Sequence, residues 1–217
     1  MNDEQHLRAE IVEIGRRLYA RGLISGHEGN LSVRMGHALL VSPTGVCKGF
    51  LRPEDIVLAD LHGHAPGARR ASMETPLHAE IYGRRSDVGA VVHAHPPTAT
   101  GFAVAGVPLD QPLTAEAVLK LGAVPIVPYE TPSSRELAEA VGRSIEGTQA
   151  LLLANHGALT VGASLEEAWE RMESLEALAR ISLVTRLLGQ AHVLSAPDMQ
   201  RLLALGVSVG YPPPAAG

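Results

Sequence analysis

His93 and His95 stand two apart at the end of an apolar run, VGAVVHAH, and His156 ends another, ALLLANHG. Side chains two apart on a strand point the same way, with Cα atoms roughly 6.5 Å apart, so the first pair can face one point beyond the strand end. If the ALLLA strand lies nearby in the same sheet, His156 approaches from the side and completes a face of three imidazoles with an open coordination position. That donor set suits a catalytic divalent cation, zinc ahead of manganese or cobalt. A His-x-His pair alone is more often a polar cap or a hydrogen-bonded loop than a metal site, so the case rests on the company it keeps. Glu74, in SMETPLH, precedes an expected helix. A carboxylate there commonly does no more than favour the positive end of the helix dipole. Beside three histidines and glycine-rich loops it becomes a candidate metal ligand or proton carrier. His62 and His64 form a second His-x-His, but in a Gly and Pro turn without a converging third ligand, and they read as a solvated loop.

A cation held by neutral imidazoles keeps its charge almost undiminished at the open position, where it can polarise two oxygens of one substrate. A 2-keto sugar with an adjacent hydroxyl offers that pair. Cleavage of the neighbouring C–C bond then leaves an enediolate whose charge the cation offsets, and a nearby carboxylate protonates the carbanionic carbon or removes that proton in the condensing direction.

The elements that must position these groups follow from periodicity. Leu7, Ile11, Ile14 and Leu18 recur at helical spacing between Glu4 and Arg21, with Gly22 as a stop. LSVR, ALLVSP and IVLAD are short β-like pieces between glycine turns, and the helix after Glu74 turns Leu77, Ile81 and Tyr82 toward the core. After VGAVVHAH comes a helix or loop from Ala99 to Ala105, then AVPIVPY, whose prolines favour an edge or irregular strand. Ser133 to Glu136 resembles a capping box opening a helix through Leu137, Val141 and Ile145. ALLLA and ALTVG supply two more strands. A second box, Ser164 to Glu167, opens a long helix that packs through Ala168, Met172, Leu175, Leu178 and Ala179. Interleaved helices and short, tightly turned strands predict a layered α/β/α domain with a mixed, largely antiparallel central sheet.

The 217 residues are 46% hydrophobic, enough for one substantial core, and no linker divides them, so one domain is expected over 1–217, frayed beyond Tyr211 in YPPPAAG. Aromatic content of 3% counts against base stacking, and a net charge of −5 removes any general attraction to nucleic-acid backbones. No apolar run approaches membrane-spanning length, the N-terminus lacks an apolar core, and the single Cys47 gives no intrachain disulfide. A cytoplasmic location is expected. Phosphate-loop, dinucleotide and HExxH motifs do not occur.

GHEGNLSVR around Asn30, SPTG from Ser42 to Gly45, RASMETPLH around Glu74, HAHP from His93 and NHGALTVG from Asn155 occur in an order and spacing that resemble the class II aldolase and adducin-head family. Within it the chain is most similar to the L-fuculose-phosphate aldolases. The resemblance implies a zinc enzyme that cleaves a ketose 1-phosphate to dihydroxyacetone phosphate and an aldehyde. His93, His95 and His156 would be its metal ligands, and Glu74 both a ligand in the resting enzyme and the proton carrier. It implies that Gly29, Asn30, Thr44, Gly45 and Ser72 bind phosphate through backbone and neutral side-chain donors. Lys48, by default a surface lysine, could assist from the same loop. The resemblance also implies a homotetramer with sites between subunits, and Tyr211 of one subunit serving the alkoxide in the next. Two departures stand out: Met73 replaces a second serine before the glutamate, and Pro112 falls where a tyrosine is usual. Both suggest a less polar aldehyde half, deoxy or thioether-bearing. A 3-oxo acid phosphate decarboxylase on the same scaffold is the rival. The ribulose-phosphate 4-epimerases are disfavoured by Glu74, and a non-enzymatic adducin-like head by the intact histidines.

Overall fold

The computed structural model describes residues 3–67 and 69–208, with side chains to residue 206. The opening amphipathic stretch forms α1 (Asp3–Ala20), burying Ile11, Ile14 and Leu18. β1 (Asn30–Met35), β2 (Ala38–Val41) and β3 (Val57–Asp60) follow as an antiparallel meander, and α2 (Thr75–Arg84) leads into β4 (Ala90–Ala94). α3 (Pro97–Ala105) begins on Pro97, whose missing N–H costs nothing in a first helical turn. α4 (Ala115–Lys120) and α7 (Ala196–Ser208) escape the periodicity argument. α4 is six residues long, too short for a recurring apolar face, and is started by the Thr114 hydroxyl accepting from the Ala117 N–H. β5 (Ile126–Val127) is reduced to two residues at the sheet edge by its prolines. α6 (Leu165–Leu188) starts where its capping box predicts, whereas α5 (Arg135–Ser144) is capped by Ser134, one residue after the Ser133 start of the expected box, because Ser133 takes a left-handed φ of 65°. Ser134 and Ser164 accept from the N–H groups of Leu137 and Glu167, and the Glu167 carboxylate reaches back to the Ala163 N–H. Between them lies the hairpin of β6 (Ala150–Leu153) and β7 (Gly157–Gly162).

Among the described residues seven strands make one sheet in the order β3-β2-β1-β4-β7-β6-β5, antiparallel except for β5 beside β6. Alternation along each strand feeds two apolar layers. Ala90, Val92, Leu152 and Ala158 pack with α1, α3, α4 and α6 on one face, while Val91, Leu151, Leu159 and Val161 pack with α2 and α5 on the other. Each fully buried aliphatic side chain contributes about 1.5–3 kcal/mol. The layered α/β/α arrangement with a mixed sheet is as expected from the sequence. Its consequence for chemistry is positional. β4 is the fourth strand of seven, with the start of β1 on one side and the β6–β7 turn on the other.

Candidate active site

Strand register brings the polar residues together. Asn30 lies opposite His93 across β1 and β4, and Ala94 lies opposite Ala158 across β4 and β7. His156 sits in the turn entering β7, after Asn155, which adopts a left-handed φ of 55° that asparagine tolerates. His95 follows the end of β4. The three ring centroids are 4.8, 5.0 and 5.1 Å apart, and one nitrogen from each ring falls within 4.8 Å of the others. Two glycines permit this closeness. A Cβ on Gly157 would come 2.6 Å from the His95 ring, and one on Gly29 would come 2.7 Å from the His93 carbonyl oxygen.

His93 donates Nδ1–H to the Ala158 carbonyl at 2.9 Å, which leaves the Nε2 lone pair facing the cluster. His95 Nε2 lies 3.2 Å from that atom, close to the roughly 3.4 Å between two nitrogens bound tetrahedrally by one zinc. Glu74 puts Oε2 at 3.2 Å from His93 Nε2 and Oε1 at 3.6 Å from His156 Nε2. Its Oε1 is buried with no hydrogen-bond donor, and His156 Nδ1 is buried without a partner. Burial, then the neighbouring His93, lowers the pKa of His95 to about 3 and of His156 to about 4, so both rings are neutral ligands at physiological pH. Burial alone would raise the Glu74 pKa; His93, His156 and the Asn30 amide outweigh it and hold the carboxyl below its ordinary value. Converging imidazole lone pairs with a donor-less carboxylate oxygen fit a divalent cation.

Not every expected donor is where the resemblance puts it. The Asn30 side chain, counted among the phosphate donors, is 4% exposed, with its Nδ2 donating to Glu74 Oε2 at 2.7 Å and its Oδ1 accepting from His78. Lys48 is not a surface lysine. It is 2% exposed, donates to the His27 carbonyl at 2.7 Å, and burial lowers its pKa to about 8. Thr44, Ser72 and the exposed Met73 share a cleft of about 470 Å³ with Arg69 and Arg70. Its two loops are clasped by the Thr44 N–H on the Arg70 carbonyl and the Ser72 N–H on the Ser42 carbonyl. Gly45, with φ of 69°, has no heavy atom within 4 Å of where a Cβ would be built. His62 and His64 are exposed, as a solvated loop requires. Tyr211 lies outside the described residues.

His78 carries no signal in the sequence that sets it apart. It is wholly buried, and burial lowers its pKa from an ordinary 6.5 to about 3. The folded protein keeps this ring neutral while the unfolded chain takes up a proton, so stability falls as pH drops from 6.5 toward 3. One such proton shifts the unfolding equilibrium about tenfold per pH unit. In denaturant titrations between about pH 6 and pH 4, His78→Gln should flatten the pH dependence by one proton relative to wild type.

The family model described as Class II Aldolase and Adducin N-terminal domain matches residues 9–183. The chain belongs to that family. It is 36% identical to a 5-methylthioribulose-1-phosphate/5-deoxyribulose-1-phosphate aldolase of Rhodospirillum rubrum, over 91% of this chain and 89% of that one. It is 33% identical to a 3-oxo-tetronate 4-phosphate decarboxylase of Pectobacterium atrosepticum, over 93% and 94%. Its fold superposes on an L-fuculose-1-phosphate aldolase from Thermus thermophilus with a TM-score of 0.78 at 36% identity, covering 87% and 98% of the two chains. The protein is therefore an enzyme, a class II aldolase of the carbon–carbon lyase type, from a family that uses a divalent metal. No helix among the described residues is long and apolar enough to cross a membrane.

Proposed function

We propose that this enzyme cleaves a ketose 1-phosphate with a deoxy or thioether-bearing tail to dihydroxyacetone phosphate and an aldehyde, with zinc held by His93, His95 and His156. The observation that carries the proposal is the convergence of three imidazoles on a buried carboxylate whose Oε1 has no hydrogen bond. When bound, the cation supplies a Lewis acid that polarises the substrate's oxygens and offsets the charge developing as the C–C bond parts. Glu74, anchored at Oε2 by Asn30, uses Oε1 to return a proton to the carbon left electron-rich, or to remove it in the condensing direction. Its burial keeps bulk water from competing for that proton. Thr44, Gly45, Gly29 and Ser72 orient the phosphate, and Arg70, which lines one cleft with Thr44 and Ser72, adds a cation the sequence did not place there. Met73, 69% exposed where the family resemblance implies a second serine, and the Rhodospirillum enzyme's named substrates support the less polar tail.

The reading includes a homotetramer in which Tyr211 of one subunit serves the aldehyde oxygen in the next. Exposed Val104, Ile181, Val184, Leu187 and Leu188 support an interface along α3 and α6. A second reading, decarboxylation of a 3-oxo acid phosphate, is favoured by the Pectobacterium relative and by the two arginines in the cleft, which suit a second anionic group. The test is a product panel on zinc-loaded enzyme. Dihydroxyacetone phosphate should be released faster from 5-deoxyribulose 1-phosphate than from fuculose 1-phosphate. Equal or faster turnover of fuculose 1-phosphate overturns the substrate, and carbon dioxide without triose phosphate from 3-oxo-tetronate 4-phosphate overturns the aldolase reaction.

A further inference from the structure

Behind Glu74 a line of polar side chains runs through a layer that is otherwise apolar. Asn30, Ser32 and Arg34 alternate on the face of β1 that meets α2. Glu74, His78 and Tyr82 recur every four residues at the start and along one side of α2. Two strand residues advance roughly 6.6 Å and four helical residues roughly 6 Å, so the two sets stay in step. They interlock one from each side. Asn30 Nδ2 donates to Glu74, His78 Nε2 bonds Asn30 Oδ1, Ser32 Oγ lies 2.7 Å from both His78 Nδ1 and the Tyr82 hydroxyl, and the Arg34 guanidinium sits 4.8 Å over the Tyr82 ring. Asn30, Ser32, His78 and Tyr82 are all less than 5% exposed.

The chemistry of the groups assigns every hydrogen. An ionised Glu74 only accepts, so the Asn30 amide nitrogen faces it and the Asn30 oxygen faces His78. His78 must then carry its hydrogen on Nε2 and accept at Nδ1 from the Ser32 hydroxyl, which in turn accepts from the Tyr82 O–H. Each link polarises the next toward the carboxylate. Stability alone does not call for such a seam, because apolar residues of similar volume in a buried layer are commonly as stable as a satisfied polar network. We infer that His78, backed by Ser32 and Tyr82, is a positioning residue of the reaction: it fixes the Asn30 amide, and through it pins Glu74 Oε2 so that Oε1 alone faces the reacting carbon.

The inference rests on Glu74 as the proton carrier, and the variants separate the two. In zinc-loaded enzyme, His78→Leu should lower kcat by about tenfold to a hundredfold with KM and zinc per subunit unchanged, the scale found for groups that orient active-site ligands. His78→Gln, whose amide offers one donor and one acceptor, should recover most of that loss. Tyr82→Phe, which removes one oxygen from the far end, keeps the test valid if His78→Leu does not fold, and should lower kcat by about threefold. Adding Ser32→Ala to His78→Leu should cost no further kcat, since Ser32 acts on Glu74 only through the His78 ring that is already gone, and a further fall in kcat would overturn the line. Wild-type kcat in folded Tyr82→Phe and His78→Leu, or a loss that tracks KM or zinc content, overturns the inference. Should Glu74→Gln itself keep full activity, the proton-carrier reading falls and takes this one with it.

Discussion

Replacing His95 with alanine should leave a folded protein that no longer retains its divalent metal after dialysis and that cleaves substrate at least about a thousandfold more slowly, the rate equivalent of roughly 4 kcal/mol. His95 is chosen because its side chain is 21% exposed and follows the end of β4, whereas His93 is 1% exposed inside the sheet, where truncation would open a cavity as well as remove a ligand. Metal content by elemental analysis and far-UV circular dichroism separate loss of the cation from loss of the fold. Full activity with no bound metal would refute the role of the cluster. The size of the effect follows from the surroundings. The site holds one buried carboxylate and imidazoles, and Lys48, whose charge is felt at His95 and Glu74, gives its hydrogen bond to the His27 carbonyl instead, so the bound cation would be the main charge set against developing negative charge there.

Glu74→Gln should act differently: three imidazoles remain, so metal content stays near one per subunit while kcat falls by about a hundredfold to ten-thousandfold. The half-reaction isolates the step. With dihydroxyacetone phosphate alone in deuterium oxide, wild type should exchange a carbon-bound proton and Glu74→Gln should not. Exchange at the wild-type rate in the variant would move the proton carrier elsewhere. The isosteric amide also tests the polar line behind it, because a glutamine at this position can turn its NH₂ toward the Asn30 amide nitrogen or its oxygen, and only the second keeps the 2.7 Å bond.

Much of the site is legible in the sequence because it obeys local periodicity. His93 and His95 are paired by the two-residue repeat of a strand, and His156 is marked by an apolar run ending in a turn; the fold then sets the two runs beside each other through β4 and β7. The Ser164 to Glu167 box locates α6 by chemistry confined to one turn, and the paired serines before α5 place its start to within one residue, with Ser134 and not Ser133 as the cap. What escapes the sequence depends on which surfaces meet. Asn30, Ser32 and Arg34 alternating with apolar residues is the pattern of a strand with one solvated face. Only the placement of α2 across β1 shows that face to be buried, and only then do Glu74, His78 and Tyr82 line up as its partners. Lys48 escapes for the same reason, since a lysine in a turn is ordinarily hydrated and nothing within the loop announces that the surrounding chain buries it.

The β6–β7 turn carries a last consequence. Two of the three rings belong to one strand end, but the third arrives with a hairpin much later in the chain. A polypeptide emerging from the ribosome therefore offers two imidazoles, with Glu74 beside them, until residue 156 has been made and its hairpin has paired with β4. A cation held by all three rings would therefore bind firmly only to a chain whose β4–β7 pairing is complete, and would stabilise that pairing.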